Sequence, residues 1–190
     1  MIRLSLDSLR RSLAPLLLNA DADRRPELAY PLFPAPRMAV LGCEVRSAPG
    51  VHCLNNWTAA EVESIRPLAL AASFPNLETL ATMMRRGQLA LPDLQYPLLV
   101  FSRPGDGALG QQQHDAIWSW FALPCFEQIR DSHGHLLAHE CEARDGFHLL
   151  GDTRPSQIGG RLLHSLCECG QVSPRVRIAP AQALTAQAGD

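Results

Sequence analysis

The stretch 96–130, "YPLLVFSRPGDGALGQQQHDAIWSWFALPCFEQIR", carries the pattern that decides the fold. It opens with the apolar run "YPLLVFS", passes through a glycine-rich loop, continues as "GQQQHDAIWSWF" and closes with "LPCFEQIR". A continuous apolar run bounded by turn residues is typical of a buried parallel strand. The stretch therefore predicts a strand, a helix and a second strand in succession.

Upstream segments extend this alternation. "RMAVLGCEV" at 37–45 predicts a strand, and "TAAEVESIRPLALAA" predicts a helix that opens at Thr58, because Glu61 completes a capping box with it. "PNLETLATMMRRG" at 75–87 predicts a second helix, which stops at Gly87.

Downstream, "HLLAHECEA" and "GFHLLG" predict a β-hairpin that turns at 144–146. The alternation predicts an α/β fold with a three-layer core, in which a short, mainly parallel sheet is flanked by helices, and a small C-terminal β-rich lobe. We expect the α/β core to span 1–129, the lobe to span 130–178 and pack on the same domain, and 179–190 to form a flexible tail.

Composition restricts the function classes. A chain of 190 residues with 46% hydrophobic residues predicts one globular domain, and a net charge of −2 argues against binding to nucleic acid. All 17 basic residues are arginine, which excludes mechanisms that need a Schiff-base lysine, a phosphate-loop lysine or a lysine general base.

The N-terminal leucines predict a short amphipathic helix over 5–18. We do not interpret this segment as a secretory signal, because Asp7 and Pro15 interrupt the required pattern. No apolar run reaches transmembrane length, so we expect no membrane partner and a cytoplasmic location. The six cysteines are then thiols or metal ligands rather than a disulfide framework.

Two pairs of ligand-type residues form the main candidate site. Cys141 and His148 flank the predicted hairpin turn, and Cys167 and Cys169 lie farther along, next to a glycine. Three thiolates and one imidazole suit a closed, tetrahedral structural zinc site. His139 competes with His148 as the fourth ligand, and two alternatives remain open for the cysteines: ordinary buried thiols, or a redox pair at 167 and 169.

Other candidates are single features. Glu127 lies towards the end of a predicted buried strand, where α/β sheets place ligands, although a charge that leaves the sheet for solvent has the same pattern. Cys125 and His114 can form a nucleophile with its base. The glycines of "RPGDGALG" match G-x-G-x-x-G in letter, but an ordinary loop explains them better. We expect three aromatic residues to pack in the core: Trp118, Trp120 and Phe121.

Two tracts carry a family resemblance. "AHECEARDGFH" (138–148) is similar to A-x-E-C-E-x-x-D-G-x-H, and "CECGQVSPR" (167–175) is similar to C-x-C-G-x-x-x-P-R. In this order they resemble the phenylacetate–coenzyme A ligase branch of adenylate-forming enzymes. "FALPCFEQ" (121–128) looks like that branch's Y-G-L-S-E motif, with Glu127 at the acid position. The resemblance implies a structural zinc ion held by these cysteines and the histidine, which makes the C-terminal β-rich lobe a zinc-bound one.

Departures from the family pattern argue against ligase activity. The phosphate loop with its lysine is not found, no Y-R-x-x-D tract lies between the two cysteine tracts, and the lysine-bearing C-terminal domain is missing from these 190 residues. We therefore expect a non-catalytic zinc-binding protein that binds an acyl or aryl molecule near Glu127, or a protein partner such as a second copy. The alternative is a small enzyme that retains ATP-dependent acid activation or acyl-CoA chemistry.

Overall fold

The computed structural model describes residues 28–32, 34–45 and 48–181. The amphipathic helix predicted over 5–18 lies outside these residues, as does the predicted tail from 182 onwards. No helix in the described ranges is long and apolar enough to cross a bilayer.

The described chain alternates strands and helices before it becomes entirely β. The strands are β1 (Met38–Leu41), β2 (Val51–Leu54), β3 (Ala69–Ser73), β4 (Leu98–Ser102), β5 (Cys125–Arg130), β6 (Leu136–Glu140), β7 (Phe147–Leu149), β8 (Gly160–Leu163) and β9 (Arg175–Ile178). The α-helices are α1 (Ala59–Ile65), α2 (Phe74–Arg85) and α3 (Gln111–Phe121), and a 3-10 turn spans Pro155–Gln157.

These strands join one sheet in the order β2-β1-β3-β4-β5-β6-β7-β9-β8. The pairs from β2 to β5 are parallel, which places the carboxyl ends of these strands along one edge. The pairs from β5 to β8 are antiparallel. The predicted α/β class and the change to a β-rich C-terminal part are confirmed. The boundary predicted at residue 130 marks the change of strand direction within a continuous sheet.

The two faces of the parallel part bury different residues, because successive side chains in a strand point to opposite sides. On one face, the strands pack against four buried helix residues: Val62, Leu77, Leu80 and Ile117. On the other face, a second apolar cluster packs with Leu28 and Tyr30. In the described part of the chain all three α-helices contribute to the first cluster, so the three-layer arrangement stays a prediction.

The helix predicted from Thr58 has the expected start but ends earlier. Thr58 and Glu61 form the predicted capping box, and the helix stops at Ile65. Pro67 disfavours helical backbone in the residue before it, and Arg66 adopts a left-handed conformation with φ of 50°. The apolar residues that follow form β3, which is buried between β1 and β4, so the prediction of one helix through "PLALAA" is wrong.

The aromatic residues of α3 are only partly in the core. Trp120 and Phe121 pack against the helix-covered cluster, and the ring of Trp120 lies 5.6 Å from that of Phe74. Trp118 is 58% exposed, so its predicted core position is wrong. Ile117, Trp120 and Phe121 are spaced by three and four residues and share a helix face, from which Trp118 is rotated away.

Candidate metal centre

The first half of the candidate site is the β6–β7 hairpin. Cys141 directly follows β6, and His148 lies at the centre of β7, so the intervening turn brings both to the same end of the sheet. Gly146 allows this turn: its φ is +90°, and a Cβ there would lie 2.6 Å from the carbonyl oxygen of Val176. The predicted hairpin is confirmed, but its loop spans 141–146 and is longer than the turn predicted at 144–146.

The second half is the loop between β8 and β9. Cys167 and Cys169 lie in this loop, where the Gly170 N–H donates to the Cys167 carbonyl and the Gln171 N–H donates to the Cys169 sulfur. Because β9 pairs with β7, the loop lies beside the hairpin although the chain between them is long. The sheet register therefore joins the two cysteine tracts.

Four side chains converge at this junction. One ligand atom from each of Cys141, His148, Cys167 and Cys169 lies within 4.8 Å of the other three. The Cys141 and Cys167 sulfurs are 3.5 Å apart, and the Cys169 sulfur is 3.3 Å from His148 Nε2. Tetrahedral coordination with zinc–sulfur bonds of about 2.3 Å separates two sulfurs by about 3.8 Å. The donor set and its spacing fit a metal ion of this size.

His148 rather than His139 completes this group. The two rings stack across β6 and β7 with centroids 5.7 Å apart, but His139 Nδ1 bonds to the Glu140 carbonyl, and His139 is not part of the group of four. His148 Nδ1 lies 2.8 Å from the Ser173 hydroxyl, and its Nε2 faces the thiols. When Nδ1–H donates to this hydroxyl, the lone pair lies on Nε2, where it can bind a metal.

Burial is the largest single influence on the pKa values of the four residues. It lowers the pKa of His148 to about 4, with help from His139 and Arg175, so the imidazole is neutral at pH 7, as ligation requires. Burial also raises the pKa values of Cys141 and Cys169. At Cys167 burial acts in the same direction, but hydrogen bonds from Cys169 and Cys141 outweigh it and hold the pKa below its usual value.

Glu127 is buried inside β5 and is held by the protein itself. The Ser102 hydroxyl donates to Oε1, and the Leu109 N–H donates to Oε2 over 2.8 Å. Burial raises the pKa of Glu127 to about 7 despite these bonds. Both oxygens are engaged within the chain, so a role of Glu127 in ligand binding stays a prediction.

A cavity of about 340 Å³ opens at the carboxyl edge of the parallel strands. Residues that end or follow β1, β3, β4 and β5 line it, among them Cys43, Ser73, Ser102 and Arg103. Glu127 is not among the residues that line this cavity, but it bonds to Ser102, which is. The edge is the one at which α/β sheets bind ligands.

The structure also brings Cys125 and His114 together. The sulfur lies 3.4 Å from Nδ1 of His114. Burial raises the pKa of Cys125 to about 12 and lowers that of His114, which favours a neutral thiol hydrogen-bonded to a neutral imidazole. A nucleophile needs the thiolate, so this pair has the contact but not the charge state.

The glycine loop lies between β4 and α3, yet the chain fills its surroundings. A Cβ on Gly107 would lie 2.6 Å from the backbone nitrogen of Ala181. Ala108 exchanges backbone hydrogen bonds with the segment 179–181, which is the first part of the predicted flexible tail. Gly107 therefore allows two backbone segments to pack closely, as in an ordinary loop.

Among the known proteins compared with this chain, matches occur only among solved structures. No protein-family model matches the sequence, and no curated protein is similar to it. Among solved structures, the chain is similar to an open conformation of a 2-hydroxyisobutyryl-CoA ligase in complex with 2-HIB-AMP and CoA. The fold is shared with part of an acyl-CoA ligase. The TM-score is 0.53 at 12% identity, over 80% of this chain and 44% of the ligase.

Sequence reasoning missed two residues of this region. Ser173 and Arg175 lie within the quoted tract 167–175, but neither was assigned a contact. Ser173 contacts His148 in the hairpin, 25 positions earlier, and Arg175 contacts Asp145 in the hairpin, 30 positions earlier. A pairing between β7 and β9 would have been needed to find them, and strands of three and four residues separated by a long excursion give no local pattern for it.

Proposed function

We propose that this protein binds one structural zinc ion through Cys141, His148, Cys167 and Cys169. The proposal rests on the convergence of these four donors within 4.8 Å at the junction of two chain segments. Four protein donors leave no open position for a substrate, so the site is of the structural kind. When bound, the ion cross-links the β6–β7 hairpin to the β8–β9 loop.

We further propose that the protein is a non-catalytic relative of the acyl- and aryl-CoA ligases, from the phenylacetate branch. The shared fold and the order of the two cysteine tracts support this relationship. Adenylate formation requires charge stabilisation on a transferring group, and these 190 residues include no lysine to provide it. We also propose a cytoplasmic location, in which cysteines stay reduced as thiols or metal ligands.

Its activity is then binding, with the cavity at the parallel edge as the site for an acyl or aryl molecule. A volume of about 340 Å³ is at the lower end of the range for small-molecule sites. A protein partner, including a second copy of the chain, is the other form of this binding role.

The zinc proposal is tested by elemental analysis of protein purified without added metal. We expect about one equivalent of zinc per chain, and a peak at the zinc absorption edge between the three sulfurs in anomalous diffraction. Folded protein that contains far less than one equivalent of zinc per chain contradicts the proposal.

The rival function is ATP-dependent activation of a carboxylic acid, which the fold shared with a ligase favours. Calorimetric titration with ATP and Mg²⁺, across a panel of aryl and aliphatic acids, separates the two functions. We expect no nucleotide binding and no pyrophosphate release. Stoichiometric ATP binding with pyrophosphate release would establish the enzyme instead.

A further inference from the structure

Arg175 lies at the start of β9, between β7 and β8 in the antiparallel part of the sheet. It is the first residue of β9 and pairs with His148 on β7 and with Leu163 on β8. Although it is an arginine, it is only 2% exposed. Burying a guanidinium costs free energy unless acceptors take up its hydrogen bonds and a negative charge balances it. The groups around Arg175 must therefore supply both.

The guanidinium connects the two ligand-bearing segments. One terminal nitrogen donates to the Asp145 carbonyl over 2.6 Å and to its carboxylate over 3.1 Å. The other donates to the carbonyl and the hydroxyl of Ser165, each over 2.9 Å. Asp145 lies in the turn between Cys141 and His148, and Ser165 precedes Cys167 by two residues. One side chain therefore fixes both segments.

The charges around Arg175 are matched only when the metal group is included. Asp145 also accepts a hydrogen bond from Arg177 over 2.7 Å, so two guanidinium groups share one carboxylate and retain a net charge of +1. Three thiolates, one neutral imidazole and Zn²⁺ carry a net charge of −1. Arg175 also interacts electrostatically with the sulfurs of Cys167 and Cys141.

We propose that Arg175 is a positioning residue for the metal centre. Its side chain holds the hairpin turn and the cysteine loop at ligation distance and balances the charge of the thiolates. This inference rests on the proposed zinc site. Residues that orient or charge-balance metal ligands typically change metal affinity by about 10- to 100-fold when they are replaced.

The test measures the zinc dissociation constant of the full chain by competition with a chromogenic chelator. Arg175→Met removes the charge and all four hydrogen bonds, so we expect the dissociation constant to rise about 10- to 100-fold. Arg175→Lys keeps the charge without the fork and should give an intermediate value. Arg177→Met is the matched control: it lies on the same strand and contacts the same Asp145, but its side chain is 59% exposed, so water screens its charge and the dissociation constant should rise much less than in Arg175→Met.

A second readout separates positioning from general stability. The increase in melting temperature that zinc produces should be smaller in Arg175→Met than in wild type and in Arg177→Met. A residue that only stabilised the sheet would lower the melting temperatures of the metal-bound and metal-free forms equally and leave the dissociation constant unchanged. That result would overturn the inference.

Two further outcomes, a variant that does not fold and a wild-type protein without zinc, also decide between the alternatives. If Arg175→Met does not fold even with excess zinc, a wild-type dissociation constant in Arg175→Lys overturns the inference, and a raised one supports it. If wild-type protein binds no zinc, the proposed metal site itself fails, and this is known before any variant is compared.

Discussion

At the scale of single residues, Glu127 couples proton binding to folding. In the folded protein its pKa is about 7, mainly because of burial, with hydrogen bonds from Ser102 and Leu109 acting in the opposite direction. In the unfolded chain a glutamate ionises near pH 4.3. Between these values the folded state binds more protons than the unfolded state, so the free energy of unfolding falls as pH rises from about 4.5 to 7 and levels off above that.

Glu127→Gln should remove this fall, because glutamine mimics the protonated acid. We expect the free energy of unfolding of the variant, relative to wild type, to rise by up to about 3 kcal/mol between pH 5 and pH 8, measured by urea titration. Glu78→Gln, at an exposed position on α2, is the control. Parallel pH profiles for Glu127→Gln and wild type would show that the buried carboxyl titrates normally.

Cys167 tests the metal group directly. Cys167→Ser removes one donor from the group of four, so we expect zinc content to fall and the melting temperature to drop by about 10 °C, which corresponds to about 4 kcal/mol for a chain of this size. Cys53→Ser is the matched control, since this exposed thiol on β2 lies outside the group. An unchanged melting temperature in Cys167→Ser would reject a structural role for the metal.

At the scale of elements, the β6–β7 turn shapes half of the metal group. Gly146 is required there by two independent features, a φ of +90° and the approach of the Val176 carbonyl. Gly151, shortly after β7, has a φ of +51° with nothing within 4 Å of a Cβ, so it has only the first feature.

We expect Gly146→Ala to lower the free energy of unfolding by about 3 kcal/mol or more and to reduce zinc content, because the added Cβ combines backbone strain with a collision. Gly151→Ala should cost about 1 kcal/mol through backbone strain alone and should keep its zinc. Urea unfolding and elemental analysis of both variants measure these effects. Equal losses in the two variants would mean that the close approach at Gly146 has no energetic role.

The elements themselves differ in how well the sequence predicts them. Segment 96–130 gives its strand, helix and strand in the predicted places, since each has a local signature of apolar run, cap or turn. β3 was missed because "ALAAS" suits either a helix or a strand, and only burial between β1 and β4 decides. β2 and β8 lie at the sheet edges and are four residues long, too short for a periodic pattern.

At the scale of the whole molecule, one sheet connects a parallel part that buries a large apolar core with an antiparallel part that carries the four candidate metal ligands. The parallel part packs against three helices, whereas the antiparallel part has a smaller apolar cluster around Ile129, Phe147 and Val176. Small cores commonly depend on a metal for stability. The two parts should therefore respond differently to metal removal.

Treatment with a chelator should increase amide hydrogen exchange in β6 to β9 and leave β3 and β4 protected, as measured by hydrogen-exchange mass spectrometry. The physical reason is that the cross-link between hairpin and loop is lost, while the helix-covered core is unchanged. Cys167→Ser without chelator should show the same pattern. Equal protection of β6 to β9 with and without chelator would contradict a stabilising role of the metal.

The sequence by itself determined the strand–helix–strand order, the cap at Thr58, the hairpin turn and the four ligand candidates, because each depends on residue type and short-range spacing. Only the tertiary structure decided that His148 and not His139 joins the cysteines, that Glu127 is enclosed by Ser102 and Leu109, and that Arg175 connects both halves of the site. These outcomes depend on which strands pair and in which register. A shift of one residue would turn every side chain of a strand to the opposite face, and no local pattern in the chain specifies the pairing of β7 with β9.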